Sequence, residues 1–342
     1  MKILSLENTK LFIYKESAKI PQIKDNEMLI KTSFCGLCGS DLHRIFDREE
    51  KIRSLENRIL GHEVVGEVWK VGKNVEKKKI GQHVAVNPLI PCNNCYYCKN
   101  KQIQHCENLS SIGKNLPGGF SEYFTINSIN TYKIEPDPLP YIMADGIAVA
   151  FHAIDLVDDF KNSKNFAIVG DGSIGYSLAL LLKSFNKNVI LIGRDSKKSN
   201  ISKKIGIQLI DKNDLHNGYY NRYDVVFEAV GGKQSETIKL SSNLCKIKGE
   251  ILVLGVYSEN YDIPLTLRDF FYKEQIIKGV NSYGISSKNE DEFKLAVDFI
   301  KQNKDSVRKL ITHISHPKDW KKVIFRNENS EKSIKIVFDF KN

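Results

Sequence analysis

The stretch that decides the fold is "FAIVGDGSIGYSLALLLKSFNKNVILIG", residues 166–193. Its apolar residues recur at helical spacing between two short β-branched runs, which predicts a strand, a turn, a helix and a second strand. Gly170, Gly172 and Gly175 form the pattern G-x-G-x-x-G directly after the first strand. In this context the pattern predicts a turn that binds the pyrophosphate of a dinucleotide, with the first amides of the helix facing the anion. A purely structural turn is the alternative.

The end of the second strand bears on which nicotinamide dinucleotide is used. An acid there would hydrogen-bond the adenosine ribose and repel a 2′-phosphate, but the strand ends at Gly193 and Arg194 follows. We therefore predict a preference for NADP, with Gly193 leaving room and Arg194 binding the phosphate, assisted by Lys197 and Lys198. NAD remains the alternative, because Asp195 can serve a ribose hydroxyl. The residues predicted to bind the cofactor in this part of the chain are Gly170, Gly172, Ser173, Ile174, Gly175, Gly193 and Arg194.

The chain outside this stretch divides into two parts with different patterns. After residue 193, apolar runs such as "YDVVFEAV" (223–230) alternate with polar or helical stretches, which predicts a parallel, doubly wound sheet. Before residue 130, short segments such as "MLIKTSF" (28–34), punctuated by glycine, predict strands and loops. Because 342 residues exceed what one core usually organises, we expect two domains. The predicted domains are a β-rich domain of residues 1–145 and 282–342 and a dinucleotide-binding domain of residues 146–281.

Four of the seven cysteines lie in "PCNNCYYCKNKQIQHC", residues 91–106. Cys92, Cys95, Cys98 and Cys106 have the spacing of a tetrahedral four-thiolate zinc site, carried by a lobe of about residues 88–110. A disulfide framework is disfavoured because the N-terminal segment loses its apolar run too early for a signal peptide, so we expect a cytoplasmic protein.

Composition argues against two other classes. The lysines behind the formal net charge of +10 are scattered singly or in short runs among acids. We interpret them as a solvated surface that favours anionic ligands, and expect no nucleic-acid partner. The apolar runs stay well below the roughly 20 residues of a membrane span, so no membrane partner is expected either.

A second group of metal-binding residue types lies in "CGLCGSDLH" (35–43) and "GHEVVGEV" (61–68). Cys38 and His62 suit a pair of zinc ligands, but a catalytic zinc needs a third protein ligand and an open position. Either residue alone is better explained as part of a buried core. Their combination with the nucleotide turn and the four-cysteine loop indicates a metal centre.

In this order the motifs resemble the zinc-containing medium-chain dehydrogenase family of alcohol, polyol and sugar dehydrogenases. The resemblance runs nearly end to end, from "GLCGSDLH" (36–43) to "DVVFEAVGG" (224–232). It implies an α/β protein with a GroES-like β-barrel catalytic domain plus a doubly wound Rossmann domain. It also implies two zinc ions per subunit, one catalytic and one structural, and a homodimer or homotetramer.

The resemblance assigns roles around the catalytic zinc. Cys38 and His62 match zinc ligands, Asp41 the carboxylate that orients the ligand histidine, and Glu63 an acid beside the metal. The third ligand is predicted at Asp145 in "MADGIAVAFHA" (143–153), where polyol members usually carry glutamate but secondary alcohol members carry aspartate. Glu63 stays open as the alternative third ligand.

The resemblance also implies a proton path. Ser40 matches the hydroxyl that accepts the alcohol proton, and His43 the imidazole that receives it by way of the nicotinamide ribose. Lys335 resembles a basic residue that contacts the cofactor pyrophosphate, with an exposed strand lysine as the alternative. His152 is expected to pack in the core rather than to bind metal.

The predicted function is hydride transfer between NAD(P) and a secondary alcohol, polyol or sugar-phosphate hydroxyl, or the reverse reduction. The substrate indications disagree, because "GLCGSDLHRIF" (36–46) resembles polyol or sugar-phosphate members whereas Asp145 and the Gly193–Arg194 pair resemble secondary alcohol members. A family member without catalysis, which binds or supports other molecules, is one alternative, and a zinc-ribbon nucleic-acid-binding protein is another. A zinc-free quinone reductase relative should lack both cysteine sets, which this chain has.

Overall fold

The secondary structure comes from a computed structural model that describes residues 1–7, 11–46, 58–194, 199–232, 234–258, 262–263, 265, 267–329 and 333–341. Its strands are β1 (Ile3–Glu7), β2 (Leu11–Lys15), β3 (Glu27–Leu37), β4 (Arg58–Ile59), β5 (Glu63–Val71), β6 (His83–Val86), β7 (Leu89–Ile90), β8 (Ser110–Ser111), β9 (Tyr123–Asn127), β10 (Thr131–Lys133), β11 (Asn165–Val169), β12 (Asn188–Gly193), β13 (Gln208–Asp211), β14 (Tyr223–Glu228), β15 (Cys245–Val253), β16 (Ile276–Gly279), β17 (Ile311–Ser315) and β18 (Lys335–Asp339). Its helices are α1 (Gly39–Phe46), α2 (Tyr96–Lys99), α3 (Ala144–Asp155), α4 (Ser173–Ser184), α5 (Ser199–Ile205), α6 (Glu236–Leu244), α7 (Leu267–Lys273), α8 (Glu292–Gln302), α9 (Lys304–Arg308) and α10 (Trp320–Asn329). Within these described ranges, every helix is too short or too polar to cross a membrane.

The chain forms two compact units. Unit 1 consists of Met1–Asp145, Phe293–Ser330 and Lys335–Asn342, and unit 2 of Gly146–Glu292 and Glu331–Ile334. The second boundary thus lies after residue 292, whereas the sequence pattern placed it after residue 281. The segment between these positions belongs to unit 2 because it is tied to α3: Ser287 donates hydrogen bonds of 2.7 Å from its N–H and 2.6 Å from its hydroxyl to the Asp155 carboxylate.

Unit 1 is built on sheets that are mainly antiparallel. The largest has the order β10-β6-β5-β3-β18-β17, with β9 also paired to β3, and a smaller sheet has the order β2-β1-β4. Strand β3 pairs with β5 on one side and with β18 on the other, so the C-terminal tail completes this sheet. Its core includes an edge-to-face aromatic cluster formed by Phe12, Phe120, Trp320 and Phe338.

Unit 2 contains a parallel sheet of six strands in the order β13-β12-β11-β14-β15-β16. Phe166, Ala167 and Ile168 of β11 are fully buried, as expected for a central strand covered on both faces. The order runs outward in both directions from the adjacent pair β11 and β14, which is the arrangement of a doubly wound dinucleotide-binding sheet. The prediction of a doubly wound sheet is therefore confirmed, and the carboxyl ends of β11 and β14 mark the point where ligands bind in such sheets.

Candidate active site

The register between β3 and β5 brings two distant segments together. Gly36, near the end of β3, pairs with Glu63, the first residue of β5. Cys38 follows β3 and His62 precedes β5, so both lie at the same end of this antiparallel pair. The sulfur of Cys38, a ring nitrogen of His62 and a carboxylate oxygen of Glu63 lie within 4.8 Å of one another. Thiolate, imidazole and carboxylate are the protein donors that zinc takes, so this cluster fits a zinc ion.

Asp41 supports this cluster from the first turn of α1. Its fully buried carboxylate accepts a 3.1 Å hydrogen bond from the N–H of Cys38 through Oδ2 and places Oδ1 3.5 Å from Nδ1 of His62. Burial alone would lower the pKa of His62, but the negative charges of Asp41 and Cys38 raise it well above its usual value. The same negative potential favours a divalent cation, and a carboxylate behind the imidazole fixes the ring orientation that a metal ligand needs.

Glu63 is held by Lys335, the first residue of β18. The Nζ of Lys335 donates hydrogen bonds of 2.6 and 2.7 Å to the two carboxylate oxygens of Glu63. Glu63 is 4% exposed and Lys335 is 3% exposed, so the interpretation of Lys335 as an exposed strand lysine is wrong. Burial alone would lower the pKa of Lys335, but the nearby negative charges, first that of Glu63 and then those of Cys38 and Asp145, together raise it. The contact between Lys335 and the cofactor pyrophosphate stays a prediction. It would require the Lys335 ammonium to bind the pyrophosphate and Glu63 at the same time.

Asp145 lies in the first turn of α3 and is half-buried. Burial raises the pKa of Glu63, and the charge of Asp145 adds to this rise, so the two carboxylates are close enough to interact. Among the residues that the structure describes, the tight cluster of ligand atoms contains Glu63 and not Asp145. The role of Asp145 as a zinc ligand therefore stays a prediction. His152, later on the same helix, is buried, and its Nδ1 lies 3.0 Å from a carboxylate oxygen of Glu292.

The two residues of the predicted proton path both lie on α1, shortly after Cys38. Ser40 is half-buried in the first turn of this helix. The side chain of His43 lies outside the part of the chain that the structure describes. The relay from Ser40 to His43 thus remains a prediction.

The four cysteines of residues 91–106 form a second cluster, in which all four sulfurs lie within 4.8 Å of one another. A 3.2 Å contact joins the N–H of Cys92 to the sulfur of Cys106. Backbone N–H groups, first that of Asn94 and then that of Cys95, lower the pKa of Cys92 to about 6. These donors stabilise the thiolate of Cys92, which is the form that binds zinc, whereas burial raises the pKa of Cys98 to about 12. The cysteines are free rather than joined as disulfides. The donor set fits a closed tetrahedral zinc site.

The glycine turn has the shape that a pyrophosphate requires. Gly170 has a φ of +121°, which favours glycine, and a Cβ on Gly175 would collide with the carbonyl oxygen of Gly170. Gly172 precedes α4 and has open space around its Cα, because nothing lies within 4 Å of where a Cβ would be. The amides of Ser173 and Ile174 begin the helix at this open position. The residues therefore fit the phosphates of a dinucleotide.

The sequence predicted open space beside Gly193 at the end of β12, but the structure shows that this space is filled. Gly193 is the last residue of this strand, and the side chain of Asp171, from the glycine turn, lies directly over it. Arg194 is exposed at the same strand end. The other residues considered for this position, Asp195, Lys197 and Lys198, lie outside the described residues.

Glu228 was missed by the sequence pattern. It ends β14 beside Val169 of β11 and is fully buried. Its Oε1 accepts hydrogen bonds from the N–H groups of Val230 and Gly231 and from the hydroxyl of Thr237, at 3.0, 3.3 and 2.8 Å. This carboxylate shapes the loop at the carboxyl end of β14, next to the glycine turn. A glutamate directly after the apolar run 225–227 of β14 was the available signal.

Comparison with known proteins agrees with this geometry. Residues 24–136 match the model of the family described as alcohol dehydrogenase GroES-like domain. The chain is 26% identical over 336 residues to D-arabitol-phosphate dehydrogenase of Enterococcus avium, a match that covers 94% of this chain and 92% of the relative. It is 31% identical over 213 residues to L-galactonate-5-dehydrogenase of Escherichia coli strain K12, which covers 62% of each.

Among solved structures, galactitol-1-phosphate dehydrogenase from Escherichia coli has a similar fold. The TM-score is 0.85 at 24% identity, and the match covers 99% of this chain and 100% of that chain. The matched domain, the near full-length relative and the shared fold lead to one conclusion: residues 24–136 belong to the alcohol dehydrogenase GroES-like domain family, and this chain is an oxidoreductase of the alcohol and polyol dehydrogenase type.

Proposed function

We propose that this enzyme transfers a hydride between NADP and a secondary alcohol, polyol or sugar-phosphate hydroxyl at the centre formed by Cys38 and His62. The observation that carries the proposal is the convergence of a thiol, an imidazole and buried acids at the paired ends of β3 and β5. Its relatives include dehydrogenases named for a polyol phosphate and for a sugar acid, which favours a polyhydroxylated substrate over a simple alcohol.

In the proposed mechanism, the centre would hold a zinc ion, which would supply a Lewis acid for the substrate hydroxyl, and the glycine turn would hold a nicotinamide dinucleotide, which would supply the hydride acceptor or donor. Cys38 and His62 would hold the metal, and Asp41 would keep His62 in the orientation and tautomer that binding needs. Ser40 would take the proton that the substrate hydroxyl loses, and His43 would carry it onward. The amides at the start of α4 would fix the pyrophosphate.

We infer that Asp145 is the third protein ligand of the catalytic zinc, because Lys335 already binds the other candidate, Glu63. Both carboxylate oxygens of Glu63 already accept hydrogen bonds from Lys335, and a carboxylate engaged in this way is a poorer metal ligand. Asp145 is half-buried and close enough that its charge raises the pKa of both Glu63 and Lys335. Glu63 would then lie beside the metal as a neighbouring acid. The second zinc, bound by Cys92, Cys95, Cys98 and Cys106, would be structural, since four thiolates leave no open position.

The proposed cofactor preference predicts a response to replacement of Arg194. Arg194→Asp places an acid beside the strand end and removes a guanidinium, so the ratio of kcat/KM for NADP over NAD should fall by about a hundredfold, as expected for loss of a charge-assisted contact and gain of a repulsion. The measurement is initial rates with both dinucleotides on a panel of secondary alcohols, polyols and sugar phosphates. A wild type that prefers NAD, together with an unchanged ratio in the variant, would refute the assignment of Arg194. A wild type inactive on every panel member would count against the proposed reaction.

We also propose that the enzyme is a homo-oligomer that associates through the edge of the unit 2 sheet. Strand β16 lies at that edge, and Ile276 and Ile277 on it are 43% and 42% exposed. Phe271, five positions before Ile276 in the chain, is 77% exposed. An apolar edge strand with unpaired backbone groups is suited to pairing with a second copy.

The oligomer proposal predicts that Ile277→Lys converts the assembly to a monomer of about 39.0 kDa, because a buried lysine opposes edge pairing. Light scattering coupled to size exclusion measures the mass. Ile314→Lys, at a 51% exposed position on β17, the edge strand of the unit 1 sheet, is the control and should keep the wild-type mass. A wild type that is monomeric at micromolar concentration would contradict the proposal.

A further inference from the structure

The space over Gly193, at the end of β12, is filled by the carboxylate of Asp171 from the glycine turn. A Cβ atom on Gly193 would lie 2.5 Å from Oδ2, 2.6 Å from Cγ and 2.8 Å from Cβ of Asp171. Because these separations are shorter than van der Waals contacts, any side chain at position 193 would collide with Asp171. A larger residue at the end of β12 would therefore require Asp171 to shift, and the room that glycine leaves is already used.

The position of this carboxylate matters for the adenosine ribose. In dinucleotide-binding sheets, an acid at the end of the second strand hydrogen-bonds the ribose hydroxyls. This chain has Gly193 at that place, but Oδ2 of Asp171 lies 2.5 Å from where a Cβ atom on Gly193 would be. Asp171 lies between Gly170 and Gly172, so the same turn that approaches the pyrophosphate also presents this acid. Asp171 is only partly buried.

Two opposite charges thus border the same strand end. Asp171 would accept hydrogen bonds from the two ribose hydroxyls of NAD and would repel the 2′-phosphate of NADP. The exposed guanidinium of Arg194 would attract that phosphate. The preference between NAD and NADP would therefore depend on both charges.

We propose that Asp171 replaces the missing strand-end acid and is the residue that admits NAD, so that the enzyme binds both dinucleotides and Asp171 limits the preference for NADP set by Arg194. This inference rests on the proposed function, because it assumes that a nicotinamide dinucleotide binds at the glycine turn. It goes beyond that function by assigning a determinant of cofactor selectivity to the turn itself.

The test is titration of the protein with NADH and, separately, with NADPH in the absence of substrate. The fluorescence of the dinucleotide reports binding and gives each Kd. Wild type should bind both. Asp171→Asn should weaken NADH and strengthen NADPH, so that the ratio of their Kd values moves toward NADPH by about tenfold or more, in the range of one hydrogen bond to a charged group. Asp171→Ala should move the ratio in the same direction.

The matched control is Asp214→Asn, which removes the same charge from an exposed position in unit 2. This control should leave the ratio at its wild-type value. The inference is overturned if Asp171→Asn leaves the ratio unchanged while the variant unfolds at the wild-type temperature, or if Asp214→Asn moves the ratio equally. A wild type that binds neither dinucleotide would instead refute the proposed function, which separates the two failures.

Discussion

Replacement of Cys38 by serine should lower turnover by about a thousandfold or more and release one of two zinc ions per chain. Serine does not ionise near neutral pH, so it is a far weaker zinc ligand than a thiolate, and the remaining donors would not retain the metal. Metal-ion polarisation contributes several kcal/mol to the transition state, and each ~1.4 kcal/mol is a factor of ten in rate. Metal analysis of the purified protein and steady-state rates measure both effects.

Three comparison variants make this experiment discriminating. Cys95→Ser should lose the other zinc and keep the Cys38 site, because the two clusters share no residue. Cys35→Ala removes a fully buried thiol that belongs to neither cluster, and should keep both ions and most of the activity. Asp145→Ala should resemble Cys38→Ser if Asp145 is a ligand. Two retained zinc ions and full turnover in Cys38→Ser would refute the catalytic metal centre.

Replacement of Lys335 by methionine should reduce the free energy of unfolding by about 3–5 kcal/mol at neutral pH. The change leaves the carboxylate of Glu63 buried without its cation, and a buried charge that has lost its partner is strongly destabilising. Urea denaturation of both proteins measures the difference. The double variant Glu63→Gln with Lys335→Met should recover much of the loss, because no buried charge remains.

The loss in Lys335→Met should depend on pH in a defined direction. Burial already raises the pKa of Glu63, and removal of Lys335 takes away the largest of the effects that oppose the rise. A carboxyl group whose pKa is higher in the folded state binds its proton more tightly there, so stability decreases as pH rises from the unfolded-state value of about 4.3 through the folded-state value. The penalty should therefore be small below pH ~4 and largest at neutral pH.

An exposed ion pair provides the control for the second prediction. Lys294 and Asp298 on α8 are 64% and 49% exposed and lie 2.6 Å apart. Lys294→Met should cost less than about 1 kcal/mol, because solvent screens such a pair. Equal losses from Lys335→Met and Lys294→Met would show that burial of the Glu63 pair does not contribute as proposed.

Local patterns in the sequence were sufficient for the parts of this protein that depend on neighbouring residues. The glycine turn, the strand and helix around it and the four-cysteine loop are each contained in fewer than thirty consecutive residues. Their spacing alone determines which amides face an anion and which sulfurs converge. Apolar periodicity likewise predicted the parallel sheet of unit 2, since a buried central strand must be apolar on both faces.

Only the tertiary structure decided contacts between residues that are far apart in the chain. Lys335 meets Glu63 across 272 positions because β18 and β5 flank the same strand, β3, and no sequence spacing encodes that pairing. Asp171 covers Gly193 because β11 and β12 are neighbours in parallel register, which brings the turn and the strand end to one edge. The sequence by itself determined which chemical groups the protein has and where each turn forms. The pairing of strands decided which of those charges face one another, because sheet register is set by the burial of whole faces and not by any single residue.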